Sequence, residues 1–133
     1  MPTPSWDMTL QRSRTKYHFN PRGMLETITD EFGNRIRYLC DTNDRVLQMI
    51  DDSGSGRLLN IYWNPTGRID WVVDSAGRTV RYGYDAVSGM LTSVTDPANR
   101  LTSYVYVNNS YGTPVLTQVK DHWNRVVTRC QRP

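Results

Sequence analysis

Residues 82–100 read YGYDAVSGMLTSVTDPANR, and this stretch decides the fold. It contains two short segments rich in Tyr, Val, Leu and Thr, the residue types that favour strands. Each segment leads into an aspartate, Asp85 or Asp96. Gly89 or Asn99 follows three or four residues later, and both residue types tolerate a left-handed backbone. The stretch therefore predicts two strands, each followed by a tight turn.

The same order of residues recurs along most of the chain, as in a repeat protein. An Asp or Asn opens a predicted turn every ten to thirteen residues, at Asn20, Asp30, Asp41, Asp52, Asn64, Asp74, Asp85, Asp96, Asn109 and Asp121. A residue suited to positive φ then closes each turn, at Gly23, Gly33, Asp44, Gly56, Gly67, Gly77, Gly89, Asn99, Gly112 and Asn124. The spacing predicts a tandem series of β-hairpins.

Turn chemistry explains these positions. An Asp or Asn at the first position of a type I turn can accept hydrogen bonds from the backbone ahead of it. Pro21, Pro65 and Pro97 occupy the second position, where proline presets the required φ. The left-handed residue then forms the bulge that closes a three-residue hairpin loop.

The segments between the turns carry regularly placed aromatic residues. We expect them to be structural, at Tyr17, Phe19, Tyr38, Trp63, Tyr82, Tyr84, Tyr104 and Tyr106. Rings two residues apart share one face of a strand, because side chains alternate with period two. The alternate strands instead show Leu-x-x-Val spacing, which shares a face only if a β-bulge shifts the register. The sequence leaves that point open.

These residues resemble the YD repeat of the Rhs proteins and their teneurin relatives. The resemblance is carried by Tyr82–Pro97 and by the Gly-Arg elements at Gly67-Arg68 and Gly77-Arg78. It implies an all-β fold of tandem antiparallel β-hairpin repeats, in a curled or spiralling sheet that is a segment of a β-shell. Residues 1–16 are then a lead-in segment, and residues 17–133 are a single domain of about five repeats.

The resemblance also implies a function. The chain would be a structural scaffold, similar to the wall of a shell that encloses a toxin or other cargo in bacterial secretion and competition systems. Its partners would be further repeats in the same chain, identical subunits joined through open sheet edges, or the enclosed cargo. A secreted or cell-surface location is implied, although no signal peptide is recognisable. The alternatives are a self-assembling extracellular filament subunit and a surface array that binds glycans.

No catalytic motif is present: the sequence has no G-x-S-x-G, H-E-x-x-H, P-loop or G-x-G-x-x-G pattern. The only histidines are His18, expected on the face opposite Tyr17 and Phe19, and His122, expected to be solvated in a turn. Turn chemistry accounts for the aspartates, and the EF-hand calcium pattern is absent. We therefore expect no catalytic residue, no metal and no cofactor.

The charged residues suggest a structural role as well. An arginine directly follows the turn-closing residue at Arg45, Arg57, Arg68, Arg78, Arg100 and Arg125. We expect these side chains to pair with turn aspartates or stack on tyrosines. The net charge of +3 argues against nucleic acid as a partner. No apolar run is long enough to span a membrane. Cys40 and Cys130 are expected to be buried thiols rather than a disulfide.

Overall fold

The computed structural model describes residues 4–129, which form twelve strands and no helix. The predicted all-β fold class is confirmed, and the strands pair antiparallel as successive hairpins. Their bounds are β1 Trp6–Leu10, β2 Thr15–Phe19, β3 Leu25–Thr29, β4 Arg35–Cys40, β5 Val46–Asp51, β6 Leu58–Trp63, β7 Ile69–Asp74, β8 Thr79–Tyr84, β9 Leu91–Thr95, β10 Leu101–Asn108, β11 Pro114–Lys120 and β12 Val126–Arg129.

The strands belong to two compact units. Residues 4–62 and 73–77 form the first unit, and residues 63–72 and 78–129 form the second. In the first unit β1 to β6 lie side by side in chain order, and in the second β8 to β12 do the same. Within each unit these strands therefore pair with their neighbours in sequence, which is what tandem hairpins require.

The lead-in segment contains a strand that the sequence analysis did not predict. β1 pairs with β2, with Met8 opposite Tyr17 and Asp7 opposite His18. Trp6, Met8 and Leu10 lie on one face of β1, because side chains alternate along a strand. Hairpin pairing therefore begins before residue 17.

Regular β-bulges allow residues with the Leu-x-x-Val spacing to share one face of a strand, a point that the sequence left open. In β9, Leu91 lies opposite Tyr84 and Val94 lies opposite Tyr82, so both face the same way although they are three residues apart. Thr92 is the extra residue that makes this possible, because a bulge sets two residues against one on the partner strand. Equivalent register shifts occur between β2 and β3, β4 and β5, β10 and β11, and β11 and β12.

The bulges collect the apolar residues on one side, which we call the tyrosine face. In the first unit its cross-strand pairs are Met8–Tyr17–Ile28 and Tyr38–Met49; in the second they are Tyr82–Val94 and Tyr104–Val119. Among residues 4–129 no side chain is fully buried. All eight aromatics expected to be structural are half-buried. Each unit therefore consists of a single layer of sheet with one apolar face.

The prediction that Cys40 and Cys130 are buried thiols is confirmed only in part. Cys40 is half-buried rather than buried, since a single layer has no interior. Its partial burial raises the pKa of the Cys40 thiol, and the nearby Asp44 carboxylate adds to this. Cys130 lies outside the described residues.

Candidate functional site

The turn residues form the hydrogen bonds that the sequence pattern suggested. Asp96 Oδ1 accepts hydrogen bonds from the backbone N–H groups of Ala98 and Arg100, both at 2.9 Å. The backbone N–H of Asn99 donates to the Asp96 carbonyl at 2.9 Å, and that of Asp96 donates to the Arg100 carbonyl at 3.0 Å. Together these bonds make a type I turn closed by a bulge residue.

Positive φ occurs at all ten positions that the sequence assigned to a left-handed residue. Three of them are not glycine: Asp44, Asn99 and Asn124 have φ of 63°, 63° and 64°. Asn and Asp adopt this conformation more readily than other residues with a side chain, because a short polar side chain can hydrogen-bond locally. These substitutions therefore keep the turn geometry of the repeat.

One turn begins a residue earlier than the sequence analysis placed it. Asp51, not Asp52, opens the loop: its backbone N–H donates to the Arg57 carbonyl at 2.9 Å, and its Oδ1 accepts from the backbone N–H of Ser53 at 3.1 Å. Hydrogen bonds from the Ser53 hydroxyl and its neighbours hold the pKa of Asp51 well below its usual range. The Asp52 carboxylate instead accepts a hydrogen bond from Arg35 Nε at 3.0 Å, across to the neighbouring strand.

Most of the repeated arginines form the expected pairs with the turn carboxylates. Arg45, Arg100 and Arg125 reach back to the aspartates that open their own turns, Asp41, Asp96 and Asp121, at 2.9, 2.8 and 2.8 Å. Arg57 pairs with Asp51 at 3.1 Å. The backbone N–H and then the side chain of Arg100 hold the pKa of Asp96 below its usual range, and Arg45 does the same for Asp41.

Arginines also stack on aromatic rings. The guanidinium of Arg68 lies 5.9 Å from the centre of the Tyr84 ring, and that of Arg81 lies 5.4 Å from the Trp71 ring. These distances fall within the range of cation–π attraction. Arg68, which follows a turn, and Arg81, which lies in β8, therefore each stabilise an aromatic ring within the second unit.

The two histidines lie where the sequence analysis placed them. His18 lies opposite Asp7 and Thr27, away from the tyrosine face, and its Nδ1 shares a hydrogen bond with Asp7 Oδ1 at 2.7 Å. Hydrogen bonds from His18 and then Lys16 hold the pKa of Asp7 below its usual range. His122 is exposed, and its ring contacts that of Trp123, with ring centres 3.6 Å apart and the ring planes tilted by 38°. Residues 4–129 contain no group of three His, Cys, Asp or Glu side chains that could hold a metal ion.

A set of exposed apolar residues lies at the turn tips and was not predicted from the sequence. Of the large apolar side chains in residues 4–129, the four most exposed lie there: Phe32, Val87, Tyr111 and Trp123, with exposed fractions of 80%, 97%, 91% and 65%. Phe32, Tyr111 and Trp123 each stand directly before the left-handed residue of their turn. That spacing was the signal that could have revealed them.

This geometry defines the chain as a tandem β-hairpin repeat protein in which the turns that follow β2 are fixed by an Asp or Asn and a left-handed residue. Residues 63–100 match the family model of the RHS Repeat. The resemblance found in the sequence is therefore confirmed over residues 63–100, where the chain is similar to the RHS, or YD, repeat.

The RHS repeat is a structural repeat rather than a catalytic one, and its family is typically extracellular or at the cell surface. No curated protein sequence matches the chain. Among the described residues, none forms a helix that is long and apolar enough to cross a membrane.

Proposed function

We propose that the chain is wall material of a shell that encloses a polypeptide cargo, with the tyrosine face on the enclosed side. The uncovered tyrosine face is the observation that carries this proposal. A sheet with one apolar face must cover that face to be stable, and residues 4–129 supply no second layer. Further repeats or a cargo would supply the cover.

The opposite face of each unit suits contact with water. In the first unit it carries Lys16, His18 and Arg37, and in the second it carries Arg81 and Lys120. Charged side chains are rarely buried, so this face is the natural outer surface. The two faces therefore differ as the inside and outside of a wall would.

The exposed area supports the need for a cover. The chain exposes 9787 Å². A folded monomer of 15.4 kDa exposes roughly 7,200 Å² by the usual scaling with mass. The difference of roughly 2,600 Å² is within the range of large obligate interfaces. Such an area suits permanent association better than transient contact.

Electron microscopy of the protein in its native assembly tests this proposal. We expect hollow particles that contain a polypeptide, and this polypeptide should resist protease until denaturant opens the particles. Long uniform fibres would instead indicate a filament subunit. A stable, monodisperse monomer with no associated polypeptide would also contradict the wall function.

A further inference from the structure

In the first unit, the face opposite the tyrosine face carries an apolar patch. Leu39 lies opposite Gln48, and Gln48 lies opposite Asn60, so these residues share that face across β4, β5 and β6. Tyr62 stands two residues after Asn60 and therefore points the same way. We call this surface the outer patch, and its apolar residues are Leu39, Leu47, Ile50, Leu58 and Tyr62.

The outer patch is open to solvent. Leu39, Leu47 and Tyr62 have exposed fractions of 39%, 40% and 44%, and all three line a depression of about 270 Å³. The corresponding face of the second unit instead carries small polar residues at its centre, such as Ser93 and Ser103. The outer patch is therefore a property of these three strands and not of the repeat in general.

The outer patch contains no charged side chain. Arg37 lies at its border, opposite Ile50, and already pairs with Asp52, with Nε 3.5 Å from Oδ2. The centres of protein interfaces are depleted in charged residues, because a charge buried without a partner is costly. The outer patch can therefore be covered without leaving a charge unpaired.

A hydrogen-bonded pair of amides lies at the centre of the outer patch. Gln48 Nε2 donates a hydrogen bond to Asn60 Oδ1 at 2.7 Å. This bond leaves Gln48 Oε1 as an acceptor and the Asn60 Nδ2 group as a donor. A second copy of the same pair, related by a two-fold axis, offers the matching donor and acceptor.

We propose that the outer patch is a self-association surface, on which the outer patch of a second copy of this chain docks about a two-fold axis. Such an interface uses the same surface on both copies, so that surface must be self-complementary. The uncharged apolar residues and the central amides meet this requirement. The inference goes beyond the wall function and does not depend on it, because it uses the face opposite the tyrosine face.

Sedimentation velocity of the full chain over a series of concentrations tests the association. Leu39→Asp brings a carboxylate into the outer patch of both copies. The matched control is Leu101→Asp, the same change at a leucine that is 44% exposed on the corresponding face of the second unit. Tyr62→Gln is a second variant, which removes apolar area without adding a charge. Thermal unfolding of each variant confirms that it is folded.

We expect the unchanged chain and Leu101→Asp to dimerise with the same dissociation constant. That constant should rise at least about tenfold in Leu39→Asp, because its carboxylates would be buried without a partner. It should also rise in Tyr62→Gln, because less apolar area is buried. An unchanged chain that stays monomeric at every concentration overturns the proposal, and so does a Leu39→Asp variant that dimerises as well as Leu101→Asp.

Hydroxyl-radical footprinting of the same samples distinguishes the outer patch from the tyrosine face. Tyr62 should become protected as the dimer forms, while Tyr38, on the tyrosine face, should stay reactive. Protection of Tyr38 without protection of Tyr62 would mean that the copies meet through the tyrosine face, and it would overturn the proposal.

Discussion

Two residues fix each hairpin turn after β2: the Asp or Asn that opens it and the left-handed residue that closes it. The first supplies a side-chain oxygen for backbone N–H groups, as Asp96 does for Ala98 and Arg100. The second supplies a positive φ, as Gly77 does with a φ of 83°. These two contributions are chemically distinct, so separate substitutions can test them.

Gly77→Val should destabilise the array. A β-branched residue is strained at positive φ, at a cost of about 1–3 kcal/mol in the free energy of unfolding. The strain is conformational rather than steric, because a Cβ at Gly77 would meet nothing within 4 Å. Thermal unfolding measures the effect, with Gly77→Asn as the control, since Asn99 and Asn124 already close turns in this chain. Equal melting temperatures for the Val and Asn variants would contradict the turn assignment.

The negative charge of Asp96 should stabilise the fold only at pH values above the pKa of its carboxyl group. The folded pKa of Asp96 is lowered by hydrogen bonds from Arg100, so its charge stabilises the fold above about pH 4, the usual pKa of Asp. That contribution is lost as the pH falls through the lowered folded pKa. Asp96→Asn keeps the turn oxygen, so the stability difference from the unchanged chain should be present at neutral pH and shrink in acid. Chemical unfolding across this pH range measures it.

Asp96→Ala is the comparison variant, since it removes the turn oxygen as well as the charge. It should be less stable than Asp96→Asn at every pH. A constant stability difference between Asp96→Asn and the unchanged chain down to strong acid would refute the electrostatic part of the account.

Most turn positions can be predicted from the sequence because their chemistry is local. The position at Asp51 could not, since two adjacent aspartates precede a Ser-Gly-Ser-Gly segment and either could open the turn. Which of the two aspartates opens the turn depends on a neighbouring strand, because Arg35 on that strand donates a hydrogen bond to the Asp52 carboxylate.

At the scale of the strands, the regular bulge explains the Leu-x-x-Val spacing. In a regular strand this spacing would place the two residues on opposite faces, whereas the bulge places both on the tyrosine face. It sets an extra residue, Thr92 in β9 and Thr117 in β11, against the partner strand. Thr117 Oγ1 donates a hydrogen bond to the Val105 carbonyl at 3.1 Å, beside the point where the register shifts. The family resemblance implied hairpins, but the bulge had to be observed in the pairing.

Deletion of Thr92 should be far less damaging than deletion of Gly83, which lies opposite Ser93 in β8. Without Thr92, Leu91 and Val94 are two residues apart, so a regular strand still sets both on the tyrosine face. Without Gly83, Tyr82 and Tyr84 are adjacent and would point to opposite faces, because a one-residue shift moves every side chain beyond it to the other side. We expect hydrogen-exchange protection of β8 and β9 to survive the Thr92 deletion and to be lost in the Gly83 deletion. Loss of protection in the Thr92 deletion would show that Thr92 is not the extra residue of the bulge.

The strand β1 shows a limit of sequence reasoning at this scale. Its five residues, Trp6–Leu10, are all exposed, and no Asp-to-Gly turn signature follows them. Its contacts come from β2, including the hydrogen bond between Asp7 and His18. Because those contacts span a turn of a different type, the repeat pattern could not reveal the strand.

At the scale of the whole molecule, the absence of any buried side chain among residues 4–129 is the property that most constrains function. Rhs repeats supply a sheet whose turns are fixed internally and whose tyrosine face still needs a cover. The proposed function as a wall around a cargo would meet that need. The all-β repeat fold could be predicted from the sequence, whereas the covering partner depends on molecules beyond this chain.

Hydroxyl-radical footprinting of the tyrosines in the native assembly tests this central claim most directly. Tyr17, Tyr38, Tyr82 and Tyr104 lie on the tyrosine face, while Tyr111 lies at a turn tip and is 91% exposed. The account predicts that the four face tyrosines are protected in the assembly and react in the isolated chain, while Tyr111 reacts in both. Face tyrosines that react as readily as Tyr111 in the native assembly would contradict it.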